Sequence, residues 1–281
     1  MTAATESKSK TPAKSEVSNA AELDGRVVSA YLLVQVGLFL GLAWKWAYFW
    51  LADGVYHELP LAHAFFPDWL RSAEVVRWAY LGSLLSIIVG VLSVWLWPRR
   101  LLAVANLGCL SVLCVHQASY NDATFTTSWW ASLWLLWWTT RMGVEDSNES
   151  LRRGAFLARA IGSMILLGGA VGKWTPEYWS GEVFYDIYFL DRDYWTFNWL
   201  RERYDEETLR WLSTWYSRKV IAIETLGGFG LWLLPPKWAA AAGVVIFTSI
   251  ALLSNFLLFS VLWSLIGLSA VGFLVRRQIS S

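Results

Sequence analysis

The chain has 281 residues, of which 56% are hydrophobic and 16% are charged, and its mean hydropathy is +0.40. This composition excludes an ordinary soluble domain and indicates a protein whose main solvent is lipid. The formal net charge of +1 comes from nearly balanced acids and bases, so the sequence predicts no nucleic-acid partner, which would need a concentrated basic face.

Residues 1–26 are rich in Ala, Ser, Thr and Lys and predict a disordered cytoplasmic tail. They contain no apolar run followed by a small-residue cleavage site, so no removable signal peptide is predicted and the first span directs insertion. We expect residues 27–275 to form one transmembrane domain and residues 276–281 to form a second short cytoplasmic tail.

Apolar stretches then recur along the chain, and each is near the length of about 20 residues with which a helix crosses a hydrocarbon core of about 30 Å. The last stretch, 238–274, would make a helix of about 55 Å, so we predict that it splits near Ser254 and Asn255. The sequence therefore predicts an all-α, polytopic transmembrane helix bundle with eight spans. The first six are 27–51, 75–97, 101–119, 128–140, 155–174 and 220–234.

The placement of basic residues supports eight spans independently, because cytoplasmic loops collect Lys and Arg. With the N-terminus inside, the basic residues of the three inner loops and of the C-terminal tail all fall on the inner side, whereas a single crossing by the last stretch would put the final Arg pair outside. We therefore predict a multi-pass protein of the inner or plasma membrane with both termini cytoplasmic. The inner basic residues are Arg99, Arg100, Arg141, Arg152, Arg153, Lys237, Arg276 and Arg277.

The longest outer segment, 175–219, is acidic and is predicted to carry short amphipathic helices on the outer surface. Asp205 followed by Glu206 and Glu207 is typical of a helix N-cap and first turn, and apolar residues follow at helical spacing. Trp-rich positions beside them favour a helix that lies on the membrane surface. The alternative is a small globular cap that touches no lipid.

Ionisable side chains within spans cost a few kcal/mol, so each is a candidate for function. Lys45, His116, Lys173 and Glu224 come from four spans and fall at one depth on the outer side, as an outward-facing pocket requires. We predict that these four residues form the catalytic or binding centre. Arg159 lies toward the inner end and is not part of it.

Each candidate also has a structural interpretation. Lys173 precedes Trp174, which is typical of a lysine that reaches to the membrane interface, and the alternative for His116 is a hydrogen-bonded core residue. Glycines at small-xxx-small spacing predict that spans five and six pack closely and bring Lys173 near Glu224. Such a contact would keep Lys173 a cation, whereas its absence would make the lysine usable as a base. The glycines concerned are Gly168 and Gly172 in span five and Gly227, Gly228 and Gly230 in span six.

No phosphate-binding loop, dinucleotide fingerprint, serine nucleophile elbow or zinc-protease motif occurs in the sequence. Only the outer loop with His57 and His63 offers metal ligands, and a spacing of six residues is not a recognised ligand spacing. No metal is predicted.

A glycine-rich stretch ends at Lys173 and Trp174, and Trp179 and Gly181 follow after a short polar gap. This pattern resembles the HTTM family, the bacterial relatives of the vitamin K-dependent gamma-carboxylase. Tyr120–Asn121–Asp122 before a Trp-rich span, and Glu224 within an apolar helix, are similar to that family as well. The resemblance covers roughly residues 101–274.

In the carboxylase, the lysine that matches Lys173 is the base that deprotonates vitamin K hydroquinone on the lumenal side, which corresponds to the outer side here. The resemblance implies a quinone as the candidate cofactor, with Trp174, Trp179 and Gly172 as its contacts. The chain departs from the family pattern in two ways. The histidine that the family usually has in the penultimate span is replaced around Thr248 and Ser249, and the large extramembrane domain of the carboxylases is lacking. Glutamate carboxylation is therefore not expected.

Two function hypotheses follow. The first is a membrane-embedded enzyme or binding protein for a quinone or lipid substrate, with an outward-facing pocket. The second is a non-catalytic membrane subunit that packs against membrane protein partners in a larger complex through its Trp-rich helices.

Overall fold

The computed structural model describes residues 24–47, 49–51, 67–95, 99–117, 123–144 and 146–276. Over these ranges the protein is all-α, as the sequence predicted. The loop with His57 and His63, the motif 120–122, and the predicted tails apart from residues 24–26 and Arg276 lie outside them. Within these ranges eight long helices carry the fold: α1 (Gly25–Trp44), α2 (Ala73–Leu92), α3 (Arg99–Gln117), α4 (Ala123–Arg141), α5 (Ser147–Val171), α6 (Glu206–Leu233), α7 (Pro236–Ser254) and α8 (Phe259–Ala270).

Five of the described helical segments are long and apolar enough to cross a membrane. They are α1, α2, α5, α7 and the segment Phe256–Leu274, which contains α8 between two short 3-10 turns. The other three long helices pack into the same bundle, α3 between α2 and α4, and α6 against α5. The fold is thus a helix bundle of the kind that a lipid bilayer surrounds.

The predicted split of the last apolar stretch is confirmed. Helix α7 ends at Ser254, and Asn255 leaves the helical conformation with φ −172°. The Asn255 side chain then accepts a hydrogen bond from the Leu257 backbone N–H at 2.9 Å and so starts the next turn. One polar residue therefore divides an apolar run that is too long for a single crossing.

The first and last helices lie antiparallel in close contact. A Cβ added to Gly37 of α1 would come within 2.6 Å of the Trp263 carbonyl oxygen, and one added to Gly41 within 2.9 Å of the Ser260 carbonyl oxygen. Residue numbers rise along α1 as they fall along α8, so the start of α1 and the end of α8 lie at the same end of the bundle. Small residues allow this approach of two backbones.

We call this end of the bundle the basic end. The start of α1 meets α4 and α5 there, since Trp138 donates to the Val27 carbonyl at 3.2 Å and Arg26 donates to Asn148 at 2.8 Å. Arg159 donates to the Leu234 carbonyl at 3.2 Å, which brings the end of α6 to the same region. All the described members of the predicted inner basic set lie at this end: Arg99, Arg100, Arg141, Arg152, Arg153, Lys237 and Arg276.

The opposite end carries a small folded cap, which comprises residues 175–205 and the first half of α6. Short helices Pro176–Ser180, Glu182–Phe184 and Trp195–Arg201 and a π-helical turn Tyr185–Asp191 build it. Its own hydrophobic core is separate from that of the bundle and consists of Phe184, Tyr185, Phe189, Tyr194, Phe197, Leu200 and Leu209. Tyr194 ties the cap to the end of α7 by donating to the Leu252 carbonyl at 2.7 Å.

Helix α6 begins at the predicted residue but extends beyond the outer segment 175–219 in which the surface helix was expected. The Asp205 side chain accepts from the Thr208 backbone N–H at 3.0 Å, which confirms the N-cap. The helix then continues without a break to Leu233, so the helix expected to lie on the surface is continuous with the sixth span. No Gly or Pro separates the two segments, and nothing in the sequence there would stop a helix.

Candidate functional site

Lys173 and Glu224 form an ion pair at the cap end of the bundle. The Lys173 Nζ lies 2.9 Å from Glu224 Oε1, 2.8 Å from Glu224 Oε2 and 3.1 Å from the Gly169 carbonyl oxygen. The two side chains are 26% and 13% exposed. Because an ammonium group has three N–H donors, each of them has an acceptor here. The contact that the sequence left open is therefore made.

Each partner is positioned by a long helix. Lys173 follows the end of α5 at Val171, and its backbone N–H donates to the Ala170 carbonyl at 2.9 Å, which continues the last turn. Glu224 lies within α6, which packs along α5. Gly169 gives the carboxylate room, since an added Cβ would lie 3.2 Å from Glu224 Oε2. The pair thus joins the end of α5 to the middle of α6.

The helices α5 and α6 approach closely, as predicted, but not through all the predicted glycines. A Cβ on Gly228 would lie 2.6 Å from the Leu167 Cγ of α5. One on Gly227 would lie 2.9 Å from the Ile246 Cδ1 of α7 and 3.5 Å from the Leu166 Cδ1 of α5. Cβ atoms on Gly168 and Gly230 would meet nothing within 4 Å. Each residue along a helix turns by about 100°, so Gly169 faces α6 while its neighbour Gly168 faces away.

We expect Gly228→Ala to lower the apparent melting temperature in detergent, because Leu167 must move to admit the methyl group. Forcing one extra carbon into a packed contact costs about 1–3 kcal/mol. Gly230→Ala on the same helix is the control, since an added Cβ there meets open space and Ala favours a helix by about 1 kcal/mol over Gly. Equal melting temperatures for the two variants would contradict the close contact at Gly228.

Two phenols of the cap, Tyr178 and Tyr188, are close enough to Glu224 for its charge to act on them. Burial raises the pKa of Tyr178, and the nearby Tyr188 phenol and Glu224 carboxylate raise it further. Burial also raises the pKa of Tyr188, where the Arg192 guanidinium 4.6 Å from the ring centroid acts in the opposite direction and Glu224 acts in the same one. Both groups therefore stay protonated near neutral pH and are hydrogen-bond donors next to a carboxylate. The sequence did not single them out as site residues, because tyrosines are common throughout this aromatic segment.

Beside the pair, Trp174 and Trp179 form an exposed aromatic surface. Their rings stack with centroids 5.4 Å apart at an interplanar angle of 22°, and they are 59% and 42% exposed. Arg218 belongs to α6, and its guanidinium carbon lies 5.5 Å from the Trp179 ring centroid. Gly172 lies between the glycine-rich turn and this surface, and an added Cβ there would meet only carbonyls of its own helix, at 3.7 Å or more. Packing therefore does not require a glycine at position 172.

The turn that carries Tyr178 and Trp179 is held on α6 by hydroxyl groups. Ser217 donates to the Tyr178 carbonyl, Ser213 donates to the Gly181 carbonyl, and Thr214 donates to the Ser180 carbonyl at 2.7 Å. Gly181 has φ 89° and lies so close to α6 that an added Cβ would come within 2.5 Å of the Thr214 Cα. These contacts explain physically why a glycine ends this motif.

The other two predicted site residues lie at the same end but on other helices. Lys45 is the C-cap of α1, which packs mainly against α8, α4 and α2. The backbone of His116 belongs to the last turn of α3, and its side chain lies outside the described part of the chain. The described hydrogen bonds of the Lys173 ammonium involve α5 and α6 alone. A joint role for all four residues stays a prediction.

Comparison of the chain with family models, with curated proteins and with solved structures found no match. The resemblance to the HTTM family therefore also stays a prediction.

Proposed function

We propose that the chain is a multi-pass membrane protein of HTTM type that binds a quinone, or a lipid with a similar carbonyl group, at the cap end. The observation that carries the proposal is a paired cation and carboxylate beside an exposed, stacked indole surface. A flat ring stacks on indole faces, and its edge oxygens need hydrogen-bond donors. Trp174 and Trp179 offer the faces, and Lys173 and Tyr178 offer the donors.

The ion pair has a definite role in this proposal. A quinone oxygen gains negative charge on reduction, and a fixed ammonium group stabilises that charge in a site with little water. All three Lys173 N–H groups already have acceptors, so a ligand oxygen must replace one of them. The Gly169 carbonyl is the most distant at 3.1 Å and is the neutral acceptor, so it is the one that a ligand would displace at least cost. Glu224 is the group that would accept a proton from a bound hydroquinone.

The test is mass spectrometry of lipids and quinones extracted from the detergent-purified protein. We expect a stoichiometric quinone or lipid with wild type and about tenfold less with Gly169→Ala, since moving the carboxylate by a few tenths of an ångström costs about 1.4 kcal/mol of binding. Gly168→Ala is the matched control, because an added Cβ there meets nothing within 4 Å. Equal ligand content in both variants would count against the site.

We further propose that the basic end faces the cytoplasm and that the cap faces outward from a cell membrane. The basic end carries the loops that join successive spans, and such loops collect Lys and Arg on the cytoplasmic side. Exposed Trp side chains are concentrated at the cap end, where indole rings suit the headgroup region. Both observations agree with the orientation derived from the sequence.

Labelling of single cysteines tests this orientation in intact cells. In a background without Cys109 and Cys114, we expect a membrane-impermeant maleimide to label Glu207→Cys from outside and Val144→Cys only after permeabilisation. Glu207 is an exposed residue in the first turn of α6, and Val144 is 69% exposed at the basic end. The reverse pattern would show that the cap is cytoplasmic.

A second candidate function has its own support. Because every donor of Lys173 is engaged, the pair also suits a purely structural tie between α5 and α6 in a non-catalytic subunit. In that case stoichiometric protein partners should co-purify, no quinone or lipid should be retained by the site, and the Gly169→Ala variant should keep the same partners.

A further inference from the structure

The basic end has a groove of about 570 Å³ on the outside of α5. Arg152, Arg153 and Arg159 line it, together with Phe156, Trp137 and Glu149. The groove thus brings three guanidinium groups together, and two of them, Arg152 and Arg153, pair with Glu149 at 3.9 Å and 2.8 Å. Its position at the end of an apolar bundle puts these charges at the depth of lipid headgroups.

A second, apolar groove of about 500 Å³ continues from the first one between α4 and α5. The two grooves share Trp137 and Leu157, and the apolar one extends to Trp130 and Met164. The apolar groove runs along α4 from Thr140 to Trp130, which is a length of about 15 Å at about 1.5 Å per residue. That length is about half of a hydrocarbon core of about 30 Å, which is the depth of one lipid leaflet.

Arg159 is the unusual residue of the groove, because it lies one turn inside the apolar part of α5. One terminal nitrogen donates to the Leu234 carbonyl at 3.2 Å, the guanidinium carbon lies 5.3 Å from the Phe156 ring centroid, and Nε is enclosed without a partner. Within the part of the chain that the structure describes, no carboxylate pairs with it. Arg153, in contrast, has Glu149 at 2.8 Å. A guanidinium at this depth costs a few kcal/mol unless a counter-anion accompanies it.

We infer that this groove binds one anionic phospholipid, with its phosphate against Arg159 and Arg152 and an acyl chain between α4 and α5. Bidentate pairing with a phosphate suits the planar guanidinium. Charge complementarity selects the lipid class, since the Arg159 guanidinium has no carboxylate among the described residues and would repel the cationic headgroup of a zwitterionic choline lipid. The indole and aliphatic side chains of the second groove match a hydrocarbon tail.

Native mass spectrometry of the delipidated protein in detergent tests the inference. We expect phosphatidylglycerol to bind about tenfold more tightly than phosphatidylcholine of the same chains, because basic side chains at headgroup depth attract anionic lipid. Arg159→Gln should remove most of this preference, and Arg159→Lys should keep a substantial part of it. Glycerol 3-phosphate should not compete, because it has no acyl chain to fill the apolar groove.

Two further variants keep the test decisive. Arg152→Gln, whose parent side chain is 50% exposed and so tolerates change, should also weaken the preference for the anionic lipid even if Arg159→Gln folds poorly. Arg210→Gln, at the cap end, should leave it unchanged. Equal binding of the two lipids to the wild-type protein would overturn the inference. So would an unchanged preference in both Arg152→Gln and Arg159→Gln, or tight binding of glycerol 3-phosphate alone.

Discussion

Replacing Lys173 with Met is expected to lower the free energy of unfolding by about 2 kcal/mol. The change keeps the apolar stem of the side chain but leaves the Glu224 carboxylate, 13% exposed, without its cation. Removing one partner of a fully buried pair costs about 3–5 kcal/mol. We expect less here because Lys173 is 26% exposed, so water can screen part of the charge that remains.

The apparent melting temperature in detergent measures this effect. The double variant Lys173→Met/Glu224→Leu should recover most of the loss, since an apolar pair can replace a buried ion pair at little cost. Lys219→Met is the control on α6, because the Lys219 side chain is exposed and its ammonium lies 5.9 Å from the Tyr216 ring centroid. If Lys173→Met melted like Lys219→Met, the ion pair would not contribute to the fold.

Gly181→Ala is expected to have the larger effect on the cap. A left-handed conformation at φ 89° costs an alanine about 1–2 kcal/mol, and the added Cβ would lie 2.5 Å from both the Cα and the N of Thr214. A clash with backbone cannot be relieved by rotating a side chain. We therefore expect the turn 176–181 to separate from α6, with a total loss of more than about 3 kcal/mol.

Limited proteolysis of the purified protein measures this separation. Cleavage within residues 175–205 should become much faster in Gly181→Ala, while the bundle helices stay protected. Gly172→Ala is the matched control. Gly172 is the C-cap of α5, its backbone is right-handed, and an added Cβ would meet no atom closer than 3.7 Å. Wild-type cleavage rates in Gly181→Ala would contradict the contact between Gly181 and Thr214.

Much of the bundle follows from one-dimensional properties of the sequence. Apolar length and the positions of Lys and Arg predicted the long helices, the split at Ser254 and Asn255, and the shared end of the basic loops. These properties depend only on distance along the chain and on charge. The N-cap at Asp205 was predictable for the same reason, because a cap is local. The continuation of this helix into the bundle was missed, although the sequence has no Gly or Pro in residues 206–219 that would end it.

The rotation of the helices about their axes could not be predicted in the same way. Helix α1 is apolar all round, so its sequence does not indicate which face meets α8, and the contact through Gly37 and Gly41 was missed. The choice of Gly168 rather than Gly169 was an error of one residue, which is a rotation of about 100°. Contacts that cross between the cap and the bundle, such as the hydrogen bond from Tyr194 to the Leu252 carbonyl, depend on tertiary packing and have no sequence signal.

The most direct test of the proposed ligand site uses the apolar double variant Lys173→Met/Glu224→Leu, because it separates folding from ligand chemistry. Quinone and lipid content should be measured by mass spectrometry on protein that melts like wild type. We predict that this variant is folded and retains less than about a tenth of the wild-type ligand. A folded double variant with full ligand content would show that the pair only ties α5 to α6, and would contradict the proposed site.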